Sequence, residues 1–161
     1  MELPQHPRIA PLTVRTLLAQ RPLECYSVTV DAKVAQALQV LTEHGVGAVV
    51  VRDGERVAGI FSEGDYVRVA AASAGQADAT PVREAMRLCA AVASPSQAVL
   101  ECLALMNEKR LRYLPVLEEG KLLGLLSLGD LQQAVIVYYE RVCQARDLDQ
   151  RIQFLQGTYS C

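Results

Sequence analysis

GIFSEGD, at residues 59–65, comes back as GLLSLGD at residues 124–130, and that return decides the fold. Carried outward at the same offset of 65 residues without a gap, Val34 falls on Val99, Leu38 on Leu103, Glu43 on Glu108, Val51 on Val116, Ser62 on Ser127 and Asp65 on Asp130. Similarity held over a whole segment at one period marks a duplicated supersecondary unit. The chain therefore reads as α+β, two tandem βαββα units followed by a C-terminal helix. Each unit ends in a Gly, Ser and Asp cluster where a strand hands over to a helix.

Ahead of each unit lies a short segment, TVRTLL at 13–18 and PVREAM at 81–86, with Val14 matching Val82 at an offset of 68. The loop that follows is thus three residues longer in the first unit. A strand near 26–30, or 91–94, then runs into Asp31 or Ser96, whose side chain is expected to cap the next helix. That helix buries Val34, Ala37, Leu38 and Leu41 in one unit and Val99, Cys102, Leu103 and Met106 in the other, the i, i+3, i+4, i+7 spacing of one apolar face. Two apolar strands follow in each unit, 48–51 with 57–61 and 114–117 with 122–126, and the charged turns RDGER and EEGK join them as hairpins. The pattern is helical again after Asp65 and Asp130. The small residues of 70–80 read as a linker. Beyond about Val137 a charged segment through Arg151, with Ile152, Phe154 and Leu155 on one side, reads as a tail helix, marginal alone and expected to dock on the units or on a partner subunit. The expected organisation is an extension at 1–12, units at 13–72 and 81–137, a linker at 73–80 and a tail at 138–161.

With 161 residues, 51% hydrophobic and 21% charged, the composition is that of a folded protein with a sizeable core. A net charge of −2 lacks the basic footprint of nucleic-acid binding. Five cysteines, at 25, 89, 102, 143 and 161, form no CxxC pair, so neither a zinc site nor a disulfide framework is indicated and a reducing cytosol is the expected setting. MELPQHPRIAPL carries charge and three prolines where a secretion signal needs an apolar run, and no stretch is apolar enough to span a membrane. The expected location is the cytoplasm.

The order of elements, the hairpins, the Leu-Pro-Val strand at 114–116 and both terminal motifs together resemble a pair of CBS domains, the cystathionine β-synthase type repeat, over roughly residues 13–137. HGVGAVVV, FSEGDY and FLQGTY are similar to the stand-alone bacterial members. The resemblance implies a pseudo-twofold pair of units whose central cleft binds an adenine nucleotide: AMP, ADP, ATP, NAD(H) or, in some relatives, S-adenosylmethionine. It implies one site made of Ser62 and Asp65 with Ala91, Val92, Arg112 and Tyr113, and another made of Ser127 and Asp130 with Tyr26, Ser27, Gly47 and Ala48. It also implies disc-like homodimers through helical faces. The chain departs from the subgroup at Gly64, where Arg is common, and at Tyr113, where His is common. Arg68, one helical turn after Asp65, is the expected substitute donor.

Chemistry supports the same positions. A carboxylate at a helix start can accept both hydroxyls of a ribose, Ser62 and Ser127 can donate to phosphate or ribose, and the free helix amides favour anionic oxygen. Gly59 and Gly124 permit close backbone approach or a sharp strand exit. Arg110 and Arg112 in KRLRYLPV offer fork-shaped donors where HGVGAVVV offers glycines, so the two sites are expected to differ. Plainer readings stand beside these. The aspartates can be helix caps, Arg112 a solvated charge, and Tyr26 a packing residue rather than a stacking surface for adenine. His44 reads as a helix C-terminal residue beside Gly45, and His6 carries little signal. No Ser-His-carboxylate relay and no acid and base pair is apparent, which favours a binding protein with no catalytic cofactor over an enzyme. The expected function is a nucleotide sensor reporting energy or redox state; the alternative is an assembly protein with vestigial pockets.

Overall fold

The computed structural model of the chain describes residues 11–20 and 23–158, with side chains described through Phe154. His6, most of the N-terminal extension, Cys161, the Leu155 side chain and the end of FLQGTY lie outside the described residues.

The first unit runs α1 (Val14–Gln20), β1 (Ser27–Thr29), α2 (Val34–His44), β2 (Ala48–Asp53), β3 (Arg56–Ser62) and α3 (Glu63–Ala72). After a 3₁₀ turn at Ala77–Ala79, the second runs α4 (Val82–Ala85), β4 (Arg87–Leu88), α5 (Val99–Glu108), β5 (Tyr113–Glu118), β6 (Lys121–Ser127) and α6 (Leu128–Thr158). β2 and β3 form an antiparallel hairpin, β1 joins β2 in parallel, and β4 joins β3 on the far side. β5 and β6 form the matching hairpin, with Ala93 bridging Val116 as Val28 pairs with Val51. The strand expected at 91–94 is reduced to that single bridge.

Strand alternation separates three apolar layers. Val49, Val51 and Phe61 face one core with Val34, Ala37 and Leu41 of α2; Leu114, Val116 and Leu126 face a second with Val99, Cys102 and Met106 of α5. Ala48 and Val50 point the other way and meet Leu125, with Tyr113 and Ile60 packed alongside, so the two sheets close on each other along a shared seam. This two-sided burial is why 48–51 is an uninterrupted apolar run.

The short lead-in helices are exchanged. Val14 and Leu17 of α1 lie in the core of the second unit, whereas Val82 and Ala85 of α4 lie in the core of the first. The crossing is fixed by matched backbone bonds: Val34 N donates to Thr80 O and Val82 N to Ala32 O, while Val99 N donates to Leu12 O and Val14 N to Gln97 O. The Thr80 and Leu12 carbonyls thus satisfy the first amides of α2 and α5, which the sequence reading assigned to side-chain caps, and the Ala32 and Gln97 carbonyls do the same for α4 and α1. Neither expected cap serves. Asp31 pairs with Arg83, Ser96 meets Ser94, and the helices start after Lys33 and Ala98. The expected C-terminal helix is present as the continuation of α6: 131–156 contains neither Gly nor Pro, so the helix runs through it unbroken. Among the described residues no helix is long and apolar enough to cross a membrane.

Candidate functional site

Each Gly, Ser and Asp motif ends a central hairpin and starts a helix. At the start of α3 the Asp65 Oδ2 accepts from Ser62 N at 3.1 Å and from Ser62 Oγ at 2.7 Å. At the start of α6 the Asp130 Oδ2 accepts from Ser127 N at 3.1 Å and from Ser127 Oγ at 2.6 Å, and Asp130 N donates to Ser127 Oγ at 3.0 Å. Ser is the cap and Asp the third helical residue, a reciprocal box that explains the three-residue spacing. The two motif glycines serve packing. A β-carbon on Gly59 would collide with the Arg87 carbonyl, and one on Gly124 would lie 2.6 Å from Leu23 Cβ.

Two clefts flank the seam, each joining the motif of one unit to the strand approach of the other. The first, of about 180 Å³, brings Ser62 and Asp65 together with Ala91, Arg112 and Tyr113. Val92 and Arg68 do not line it; the Arg68 guanidinium donates to Ala85 O at 2.7 Å and stands 3.5 Å from Asp65 Oδ1. The second, of about 580 Å³, joins Ser127 and Asp130 to Gly47, Ala48 and Tyr113, with Glu24 at its edge. Tyr26 and Ser27 do not line it. The Tyr26 ring is stacked on His44, centroids 3.8 Å apart and planes within 14°, so this face of the tyrosine is occupied by the residue that ends α2.

Sequence reasoning missed Arg87. It lines the first cleft with Arg110, and its Nε donates to Asp65 Oδ1 at 2.8 Å. The register that brings Arg87 opposite Ile60 comes from the exchanged lead-in, and the local signal for it was the recurrent glycine at 59, which marks a close backbone neighbour.

The sequence profile of the CBS domain matches residues 15–72 and again residues 82–137. The chain belongs to the CBS domain family. As a tandem CBS pair it is 32% identical over 138 residues to the mitochondrial CBS domain-containing protein CBSX3 of Arabidopsis thaliana, a match covering 81% of this chain and 64% of that protein's length. A CBS-domain protein from Burkholderia ambifaria MC40-6 has a solved structure similar to the pair at a TM-score of 0.72 and 41% identity, over 78% of this chain and 94% of that one. CBSX2, solved in complex with AMP, shares the fold at 24% identity and a TM-score of 0.65, over 78% of this chain and 97% of its own.

Tyr113 is the wall that the two clefts of the CBS pair share. Burial pushes its phenol pKa up, the charge of Glu63 adds to this, and Arg112 opposes it, so the ring presents a neutral hydroxyl at neutral pH. Cys89, in the first cleft, is also raised by burial and stays a thiol, its Sγ donating to Ala91 O at 3.4 Å.

Proposed function

We propose that this CBS pair is a non-catalytic regulatory module that binds an adenine nucleotide, AMP, ADP, ATP or NAD(H), in one or both clefts. One observation carries the reading: each cleft is built half from the Ser-x-x-Asp motif of one repeat and half from the strand approach of the other. A ligand held by both halves favours one arrangement of the repeats over others, and unequal binding to two arrangements is what makes a sensor. In this reading Asp65 and Asp130 accept ribose hydroxyls, Arg110 and Arg112 meet phosphate in the first cleft, and the glycine wall of the second admits a bulkier group. CBSX2 holds AMP on the same fold. Calorimetry with AMP, ATP, NAD and NADH is the test: at least one saturable isotherm is expected, and silence from all four at millimolar concentration removes the proposal.

A second reading rests on Asp65, whose carboxylate is only 1% exposed and already engaged by Ser62 and Arg87. Under it the first pocket is vestigial and the pair serves assembly. Either way a homodimer is proposed, with α6 at the contact, because Ile136, Tyr139, Leu148, Ile152 and Phe154 lie exposed along that helix. Light scattering is expected to give about twice 17.6 kDa; a clean monomer removes it, and a dimer that survives truncation after Val137 removes the far part of α6 from the contact.

A further inference from the structure

Among the described residues Asp65 is the only charged side chain that is buried, and part of its cover is an arginine that is itself exposed at the cleft mouth, Arg87 with 67% of its side chain open to solvent. A pair between a desolvated carboxylate and a solvated, long-armed cation is easily exchanged, because the cation loses little when it swings into water. We propose that Arg87 is a latch on the first cleft, which adenosine alone can lift only at a loss and which a phosphate-bearing ligand lifts and then re-engages. The proposal rests on the reading of this cleft as a nucleotide site and assigns its selectivity.

Three observations point the same way. With Arg87 in place the cleft holds about 180 Å³, below the roughly 300–1,000 Å³ of sites that enclose a small molecule, so a ligand gains room when a lining side chain withdraws. The Asp65 Oδ1 that Arg87 covers is the oxygen outside the Ser62 box, so a ribose hydroxyl donating to it takes the place of the Arg87 Nε–H without disturbing the start of α3. Arg110 and Arg112 line the same cleft, so a guanidinium released from Asp65 has a ligand phosphate to meet in their company. Arg110 holds a left-handed φ of 53° at the position where the first repeat has Gly45 at 64°, so strain that glycine would relieve is tolerated where it keeps a third cation in the cleft. Charge then sets the outcome. A nucleoside removes Arg87 from its carboxylate and offers no anion in return, whereas a nucleotide offers a phosphate to a planar fork suited to it.

The test reads the first cleft alone. Cys89 lines it, so protection of Cys89 from iodoacetamide at mildly alkaline pH, where enough thiolate forms to react, followed by peptide mass spectrometry and normalised to each protein's ligand-free rate, reports its occupancy. Wild type, Arg87→Ala and Arg87→Lys are titrated with adenosine and with AMP. Wild type is expected to prefer AMP; in Arg87→Ala that preference falls by about tenfold, adenosine tightening as AMP weakens. Arg87→Lys keeps a cation and is expected to lie between. A melting curve confirms folding of each variant. Equal preference in wild type and Arg87→Ala, or equal weakening of both ligands, overturns the latch while leaving a nucleotide site in place. Failure of both ligands to protect Cys89 in all three proteins overturns the nucleotide reading of this cleft and the latch with it.

Discussion

The Tyr113 hydroxyl stands where a side chain on Gly47 would begin: a β-carbon built at Gly47 lies 2.6 Å from it. Gly47 belongs to the first repeat and Tyr113 to the second, and the amide of Glu63, at the start of α3, donates to the Gly47 carbonyl at 3.2 Å. The contact therefore ties the shared wall of both clefts to the helix that carries Asp65.

Gly47→Ala is expected to push Tyr113 off its position and cost about 1–3 kcal/mol of stability, the usual penalty for overpacking. Because Tyr113 lines both clefts, nucleotide binding at both is expected to weaken. Urea denaturation and calorimetry measure the two effects. Unaltered affinity together with unaltered stability would mean that the ring moves aside freely and is no wall.

Alkaline pH isolates the same residue. The folded protein holds the Tyr113 phenol neutral above its ordinary value of 10.0, whereas the unfolded chain ionises near that value. The associated stability is complete below about pH 10 and is lost as pH rises toward the folded value. Wild type is thus expected to lose stability as pH rises above about 10 more steeply than Tyr113→Phe. Parallel curves for the two proteins would show that burial of the phenol carries no such linkage.

The repeat, the hairpins and the amphipathic helices were legible because each is written in local periodicity, as with Val34, Ala37 and Leu41 or the alternation of Ala48 and Val50 against Val49 and Val51. The exchange of α1 and α4 was not. Val14 and Val82 look alike in sequence, and nothing local says which core each enters; that is decided by backbone bonds such as Val34 N to Thr80 O. The capping errors at Asp31 and Ser96 have the same origin, since remote carbonyls took the work expected of side chains. Arg87 escaped notice because its carboxylate partner is 22 residues away. The stacking of Tyr26 on His44 was not legible either, because it joins the approach to β1 with the end of α2 and leaves no mark in local periodicity.

Asp130→Glu separates helix capping from ligand contact. Glutamate is the usual third residue of a capping box, so the variant retains a means of closing on Ser127 and should melt within about 1 kcal/mol of wild type. Its carboxylate is displaced by one methylene from the place where ribose would meet it. Nucleotide affinity of the second cleft is expected to fall by about 1–3 kcal/mol, the scale of a charge-assisted hydrogen bond. Retained affinity would leave Asp130 as a capping residue and nothing more.

Arg110→Gly sets stability against binding at one position. Arg110 adopts φ 53° at the exit of α5, a conformation that costs a non-glycine residue about 1–2 kcal/mol, and Gly45 occupies the matching exit of α2 at φ 64°. Part of that relief is offset by the extra freedom glycine has in the unfolded chain, so a net gain of about 1 kcal/mol is expected in urea denaturation. The same variant removes one of the three guanidiniums of the first cleft, and AMP is expected to lose more affinity than adenosine there, read by Cys89 protection. A variant that is no more stable would mean that the arginine's own contacts cancel its strain. A variant that is more stable yet binds AMP as well as wild type would show that the strained arginine is not kept for phosphate.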